Sequence, residues 1–169
     1  MPARAHERLH LGGWDGDAAA ATATVGVRGF LDALAADLRP TLLAGRAVAL
    51  EVEAEEDVQL PAERAVPLGL VVNEAVTNAL KHAFPKGRAG TVRVRFAREG
   101  GGYALTVADD GIGPSPAPRT EDDGAASGGP AGTRLIGALA RQLGGTVEWR
   151  GPPGTAVVVS FPGPDAAPD

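Results

Sequence analysis

The sequence predicts an α+β fold, a two-layer sandwich in which helices cover one face of a mixed, mostly antiparallel sheet. The first reason is periodicity, because some apolar segments repeat at helical spacing and others alternate with polar residues as strands do. The second reason is order, since the segments run helix, strands, long helix, hairpin, loop, helix, hairpin. Strands grouped into hairpins favour helices packed on one face of the sheet.

Local signals support each element. Helices are predicted over residues 25–43, 62–84 and 133–143. Strands are predicted over residues 47–53, 92–96, 103–108, 146–150 and 155–161, with a short partner strand at 58–60. Pro67 is expected in or near the first turn of the long helix, where a missing N–H is tolerated. Gly144 and Gly145 are expected to end the last helix.

Composition limits the classes of protein to which the chain can belong. With 169 residues, one domain with its own core is expected. The absence of cysteine excludes disulfides, thiolate catalysis and cysteine-ligated zinc, and it fits a cytoplasmic location. The net charge of -5 argues against nucleic-acid binding through a broad basic surface. No apolar run is long enough for a signal peptide or a membrane span.

Three stretches show no helical or strand pattern. Residues 11–24 are rich in glycine, alanine and threonine and are predicted to be a linker. Residues 114–131 combine proline, glycine, serine and consecutive acids without periodicity, which predicts a long mobile loop with a functional role as a lid. Residues 163–169 are predicted to be a disordered tail. The folded domain is therefore expected over residues 25–162.

The long helix carries a polar face opposite its apolar one. Two adjacent ridges form this face, one with Glu74, Asn78 and His82 and the other with Asn73, Thr77 and Lys81. Glu74 and Asn78 can present two oxygens to one point, and hard oxygen ligands suit Mg²⁺, either from Asn78 directly or from Glu74 through a water. Lys81 can reach a phosphate as a point charge. The simpler alternative is an ordinary solvated helix face.

The sequence from Asp109 to Gly113 ends a predicted apolar strand with an acid and two glycines. An aspartate at this place can accept a hydrogen bond from an exocyclic amine, and glycines allow a flat ring to approach the backbone. An ordinary tight turn is the alternative. Glycine-rich segments at 128–132 and 151–154 add two further points of close approach.

These motifs resemble those of the catalytic ATP-binding domain of bacterial sensor histidine kinases, in the GHKL superfamily, within the subfamily related to the HWE kinases. The segment from Leu68 to Pro85 resembles the N box, and Asp109 to Gly113 resembles the G1 box. Gly132 resembles the glycine of the G2 box, and Gly154-Thr155 resembles the pair that closes the adenine pocket. The similarity covers residues 28–162 and implies the Bergerat fold, the two-layer α/β sandwich of this superfamily.

The resemblance implies that the chain binds ATP and Mg²⁺. It assigns nucleotide binding to Asn78, Asp109, Gly111, Gly113, Gly132, Thr155 and His82, with Asn78 as the metal contact. It gives catalytic roles to Glu74 and Lys81. The implied protein partners are a domain that carries the phosphoacceptor histidine and a response regulator.

The chain departs from the family pattern at several places. Residues 130–133 keep one G2-box glycine and lack its leucines, and the strict HWE sequence Trp-x-Glu is missing. Residues 5–10 resemble the end of the phosphoacceptor hairpin, so residues 1–24 are expected to be a remnant of that hairpin and a linker. None of His6, His10 and His82 is expected to be the phosphoacceptor.

Two other functions stay open from the sequence. A free-standing protein-serine kinase of the anti-sigma-factor type has the same fold and needs no phosphoacceptor hairpin. A degenerate GHKL module that docks signalling partners without using ATP would fit the altered G2 box, although it would not need Asn78, Asp109 and the glycines.

Overall fold

The computed structural model describes residues 23–113 and 131–164 and confirms the α+β fold. Its described helices are α1 (Val27–Leu42), α2 (Ala62–His82) and α3 (Ala131–Gln142), with a short 3₁₀ turn at Pro85–Gly87. Its described strands are β1 (Thr24–Gly26), β2 (Val48–Ala54), β3 (Gln59–Pro61), β4 (Gly90–Glu99), β5 (Gly102–Asp109), β6 (Thr146–Arg150) and β7 (Thr155–Pro162).

The main sheet has five strands in the order β2-β4-β5-β7-β6. β2 and β4 are parallel, as the α2 crossover between them requires, and the other three neighbouring pairs are antiparallel. β5 is therefore the central strand, and its last residue, Asp109, lies between Val92 of β4 and Thr155 of β7. The sheet is mixed and mostly antiparallel, as predicted.

The core lies between the helices and one face of the sheet. Alternate residues of the central strands are buried, including Val94, Leu105 and Val159 at no more than 1% exposure. α2 buries the apolar face that its spacing predicted, which comprises Leu68, Val71, Val72, Ala75, Val76 and Ala79. No charged or polar side chain is fully buried within the described ranges, so the core leaves the polar face of α2 outside it.

The short strand near residues 58–60 does not pair as a neighbour of β2. β3 pairs antiparallel with β1, which lies at the end of the stretch predicted to be a linker. Backbone hydrogen bonds extend this pairing on both sides, from Val27 N–H to Val58 O and from Ala62 N–H to Ala23 O. β2 pairs instead with β4.

The helix ends also differ in detail from the prediction. Pro67 lies in the second turn of α2, near the first turn as predicted, and it is buried. α3 begins two residues earlier than expected and ends as predicted, because Gly144 N–H donates to Arg141 O and Gly145 N–H donates to Ala140 O. The predicted hairpin remnant, most of the predicted linker, nearly all of the predicted lid and most of the predicted tail fall on residues 1–22, 114–130 and 165–169, which lie outside the described residues.

Candidate functional site

Asp109 ends the central strand with its carboxylate held on one side only. Its Oδ1 accepts hydrogen bonds from Gly111 N–H at 3.0 Å and Thr155 N–H at 3.3 Å. Within the ranges that the structure describes, its Oδ2 accepts none. Burial has the largest effect on the pKa of Asp109 and raises it. The hydrogen bonds from Gly111 N–H and Thr155 N–H lower the pKa by less, and the nearby charge of Asp110 raises it slightly. The arrangement leaves one partly desolvated acceptor available to a ligand that carries a hydrogen-bond donor.

The turn after Asp109 is packed against the end of α2. Ile112 N–H donates to Ala83 O at 3.0 Å. A Cβ atom at Gly111 would lie 2.3 Å from the same carbonyl oxygen, so only glycine fits there. Gly113 has a φ of +81°, which favours glycine, and a Cβ there would lie 3.1 Å from Gly154 O. Gly111 is therefore required by close backbone approach, and Gly113 is favoured by its positive φ.

A second glycine turn closes the other side of Asp109. Gly154 has a φ of +61°, and a Cβ atom on it would lie 2.0 Å from Asp109 O. Thr155 follows it, opens β7 and reaches Asp109 through its backbone N–H. The structure thus brings Asp109, Gly111, Gly113 and Thr155 together, and Gly154, which the resemblance had paired with Thr155, is the contact that brings the two turns close.

Asp110 belongs to the framework of this site, and the sequence reasoning gave it no role. Its Oδ1 accepts a hydrogen bond from Thr91 N–H at 2.8 Å, and Asp110 N–H donates to Thr91 O at 3.3 Å. These bonds tie the turn to the start of β4. The doubled acid in the sequence is the only local signal for this residue, because its partner is nineteen positions away.

Glu74 and Asn78 lie half-buried on α2, where the start of α3 crosses them. A Cβ atom on Gly132 would lie 3.0 Å from Glu74 Oε2, 3.0 Å from Asn78 Oδ1 and 3.2 Å from Asn78 Nδ2, so the carboxylate and the amide face one place. Gly132 allows the backbone of α3 to approach this pair. The structure therefore brings the polar ends of Glu74 and Asn78 together beside Gly132, which the resemblance had assigned to nucleotide binding.

The other predicted residues of α2 are not drawn into this cluster. Lys81 and His82 are exposed in the last turn of the helix, a position that also suits cations because of the helix dipole. Thr77 Oγ1 donates to Asn73 O at 2.7 Å, so that hydroxyl is satisfied by its own helix. This intrahelical bond is a structural explanation for a threonine on the polar face.

Neither a metal cluster nor a membrane helix is found in the described part of the chain. Within residues 23–113 and 131–164, no three Asp, Glu, His or Cys side chains are grouped so that they could hold a metal ion. No helix in those ranges is long and apolar enough to cross a membrane. A magnesium ion that is bound mainly by nucleotide phosphates needs only one or two protein oxygens, so it does not require a cluster of three such side chains.

Replacing Gly111 by alanine is expected to destabilise the protein by about 1–3 kcal/mol, because the new methyl group would overlap backbone atoms of Ala83. The matched control is Gly137→Ala in the middle of α3, where a Cβ meets only Arg141 Nη1 at 3.8 Å. This control should stabilise the protein by about 0.5–1 kcal/mol. Urea unfolding measures both changes. Equal midpoints for the two variants would contradict the close packing of the turn.

Comparison with known proteins agrees with this geometry. The family described as histidine kinase-like ATPase domain matches residues 34–161. Blue-light-activated histidine kinase 2 of Erythrobacter litoralis (strain HTCC2594) is 36% identical over 117 residues, which are 68% of this chain and 32% of that protein. The chain therefore spans about a third of the length of that relative.

Solved structures show the same fold. The blue-light activated histidine kinase of Erythrobacter litoralis EL346 is similar over 82% of this chain and 45% of its own, with 30% identity and a TM-score of 0.67. The catalytic domain of histidine kinase ThkA is similar over 83% of this chain and 95% of its own, with 15% identity and a TM-score of 0.68, and shows the fold alone. Because the family match extends over most of the sequence, the chain belongs to the histidine kinase-like ATPase domain family and carries the ATP-binding GHKL fold of histidine kinases.

Proposed function

We propose that this chain is the Mg-ATP-binding catalytic domain of a two-component sensor histidine kinase and that it transfers the γ-phosphoryl group of ATP to a histidine on a partner domain. The observation that carries the proposal is the half-buried Asp109 carboxylate, which has one oxygen bound by the backbone and one oxygen that accepts no hydrogen bond from any residue the structure describes. The proposal places the protein in the cytoplasm, in agreement with its lack of cysteine.

Asp109 binds the adenine ring in this proposal. Its Oδ2 accepts a hydrogen bond from the exocyclic amine, and Gly111, Gly113 and Gly154 keep side chains away from the flat ring. Guanine has a carbonyl oxygen where adenine has the amine, so two acceptors would face each other. ATP should therefore bind more tightly than GTP, because an unmet buried acceptor costs about 1–3 kcal/mol.

Asn78 and Glu74 fit a magnesium ion bound together with phosphates. Their oxygens converge on one place, and both are hard ligands of the kind that Mg²⁺ uses. In this proposal Asn78 Oδ1 is the protein ligand. A magnesium ion held there would supply positive charge to the phosphates. Glu74 lies beside Asn78 and polarises the attacking group, while Gly132 keeps a side chain out of the place on which the two residues converge.

Lys81 and His82 act at the exposed end of the same helix. Lys81 contributes a positive charge to the phosphates, and His82 orients groups around them. His82 is an unsuitable acceptor, because it is fixed on the same helix as Asn78 and cannot be aligned for in-line attack independently of the phosphates that Asn78 helps to hold. A separate phosphoacceptor histidine domain and a response regulator are the protein partners in this proposal.

The comparisons favour this function over its two alternatives. The Erythrobacter relative and the blue-light activated histidine kinase structure are both named as histidine kinases, which supports histidine rather than serine as the acceptor. The one-sided Asp109 carboxylate and the glycines required around it support ligand binding over a docking module that uses no ATP.

Phosphoryl transfer to an added partner tests the function. The chain alone, incubated with Mg²⁺ and γ-labelled ATP, is expected to stay unlabelled. Addition of a cognate histidine-bearing helical hairpin should give a label on the hairpin that is lost in acid, because phosphohistidine is acid-labile. A hairpin with the histidine replaced by glutamine is the control.

Three outcomes would contradict the proposal in different ways. Acid-stable label on a serine-bearing antagonist, with none on the hairpin, would support the anti-sigma type of kinase. No ATP binding by calorimetry would support the docking module. Acid-labile label on the chain alone, lost in His82→Gln, would show that the acceptor lies within this chain.

A further inference from the structure

Two large apolar side chains are exposed on the same side of the first half of α2. Val66 is 64% exposed and Leu70 is 44% exposed. They are four residues apart and are therefore neighbours on one ridge of the helix. The ring of Phe30 lies against the residue between them, because a Cβ atom at Gly69 would lie 2.8 Å from its Cζ. We refer to Val66, Leu70 and the Phe30 ring as the apolar ridge.

The backbone pairing shows where the N-terminal segment leaves the fold. Thr24 pairs with Pro61, and Ala62 N–H, at the start of α2, donates to Ala23 O. Because β1 and β3 are antiparallel, the chain followed backwards from β1 runs in the same direction as β3, towards the start of α2. Residues 1–22 therefore join the described structure beside the helix that carries the apolar ridge.

The N-terminal segment has the reach and the side chains to cover this ridge. Val66 and Leu70 lie roughly 6 Å and 12 Å along α2 from Ala62, at 1.5 Å per residue. At up to about 3.3 Å per residue, the stretch from Trp14 to Ala23 can span up to about 30 Å. This reach exceeds the distance from Ala62 to either side chain. The segment Leu9-His10-Leu11-Gly12-Gly13-Trp14 brings three large apolar side chains within reach.

We propose that the N-terminal segment of this chain docks on the apolar ridge through Leu9, Leu11 and Trp14. A tether of this length keeps the segment at a local concentration of the order of millimolar near its own α2. A second copy of the chain at micromolar concentration competes poorly for the same small surface. The docked segment removes the exposed faces of Val66 and Leu70 from water.

Cysteine cross-linking in the full chain tests the contact directly. The chain has no cysteine, so Leu11→Cys with Leu70→Cys introduces the only two thiols. Mild oxidation should join them within one chain at least about tenfold faster than in the control pair, Leu11→Cys with Ile112→Cys. Ile112 is 55% exposed and lies at the other end of α2, beside Ala83, so it reports random encounters of the tether.

Tryptophan fluorescence gives a second, independent readout. The chain has two tryptophans, and Trp149→Phe leaves Trp14 as the reporter. Replacing Val66 and Leu70 together by glutamine should lower the ratio of docked to undocked segment at least about tenfold. Trp14 emission should then shift to the red and iodide quenching should increase. Ile112→Gln is the matched control and should leave both unchanged.

Each contrary result would overturn the docking. Equal cross-linking rates for the two cysteine pairs would show a tether without a preferred contact. Cross-links between two chains in place of internal ones would show that a second copy occupies the ridge. Trp14 quenching that does not respond to the two glutamine substitutions would show that the segment lies elsewhere.

Discussion

Replacing Asp109 by asparagine is expected to weaken ATP binding about tenfold to a hundredfold, because a donor then faces the donor of adenine. Asparagine keeps an oxygen for the N–H groups of Gly111 and Thr155, which Asp109 Oδ1 accepts. The amide nitrogen of the asparagine takes the place of Oδ2, so an N–H donor then faces the exocyclic amine of adenine. Calorimetric titration with ATP measures the loss. The same change should narrow the preference for ATP over GTP, since guanine offers an acceptor at that position.

The matched control for this variant is Asp110→Asn. Asp110 is the adjacent acid, and its Oδ1 accepts from Thr91 N–H in the framework of the turn. Asparagine keeps that acceptor, so ATP affinity should stay within about twofold of wild type, well below the cost of an unmet polar group. If the Asp109→Asn variant binds ATP as tightly as the Asp110→Asn control, the Asp109 carboxylate does not bind adenine.

The loss of binding in Asp109→Asn should occur without a loss of fold. Burial raises the pKa of Asp109 above the ordinary value of 3.8. The pKa of Asp109 is therefore higher in the folded state than in the unfolded state. As pH rises from the unfolded pKa through the folded pKa, the carboxyl group loses its proton and its contribution to stability falls. The cost of the buried charge is fully present at neutral pH. The neutral amide removes this cost. Urea unfolding at pH 7 should therefore show a midpoint no lower than that of wild type.

The part of the site that the sequence predicts is the part with a local signature. Asp109 follows an alternating strand, and Gly111 and Gly113 follow it at once, so a strand end and a turn can be recognised from neighbouring residues. The helical spacing of Glu74 and Asn78 likewise predicts that their oxygens converge. The contact of Asp110 with Thr91 depends instead on strands that meet only in the folded chain. Gly154 was assigned to the site by the resemblance, and its approach to Asp109 likewise depends on the folded chain.

The same distinction applies to the fold. The long helix and the two hairpins have enough residues for periodicity to show, and all were predicted. β1 and β3 have three residues each, too few for an alternating pattern, and their partners are separated by the whole of α1 and β2. Pro67 was expected in or near the first turn of the long helix, and it lies buried in the second turn of α2.

Asn78→Ala is expected to abolish the enhancement of ATP binding by Mg²⁺ while weak binding of metal-free nucleotide remains. The substitution removes the one amide oxygen that converges with Glu74 on the place beside Gly132. Phosphoryl transfer to the histidine-bearing hairpin should fall at least about a hundredfold, the scale of one preorganised electrostatic contact. Calorimetry with and without Mg²⁺ measures the first effect, and transfer of labelled phosphate measures the second.

Thr77→Ala is the matched control, because Thr77 is the preceding residue on α2 and its hydroxyl is bonded to Asn73 O within the helix. Alanine is the better helix former, so this variant should stay folded and keep the response to Mg²⁺. If Asn78→Ala and Thr77→Ala respond to Mg²⁺ alike, the metal ligand is another residue. If Asn78→Ala loses the Mg²⁺ response and transfer is unchanged, the ion contributes to nucleotide affinity and not to the chemical step.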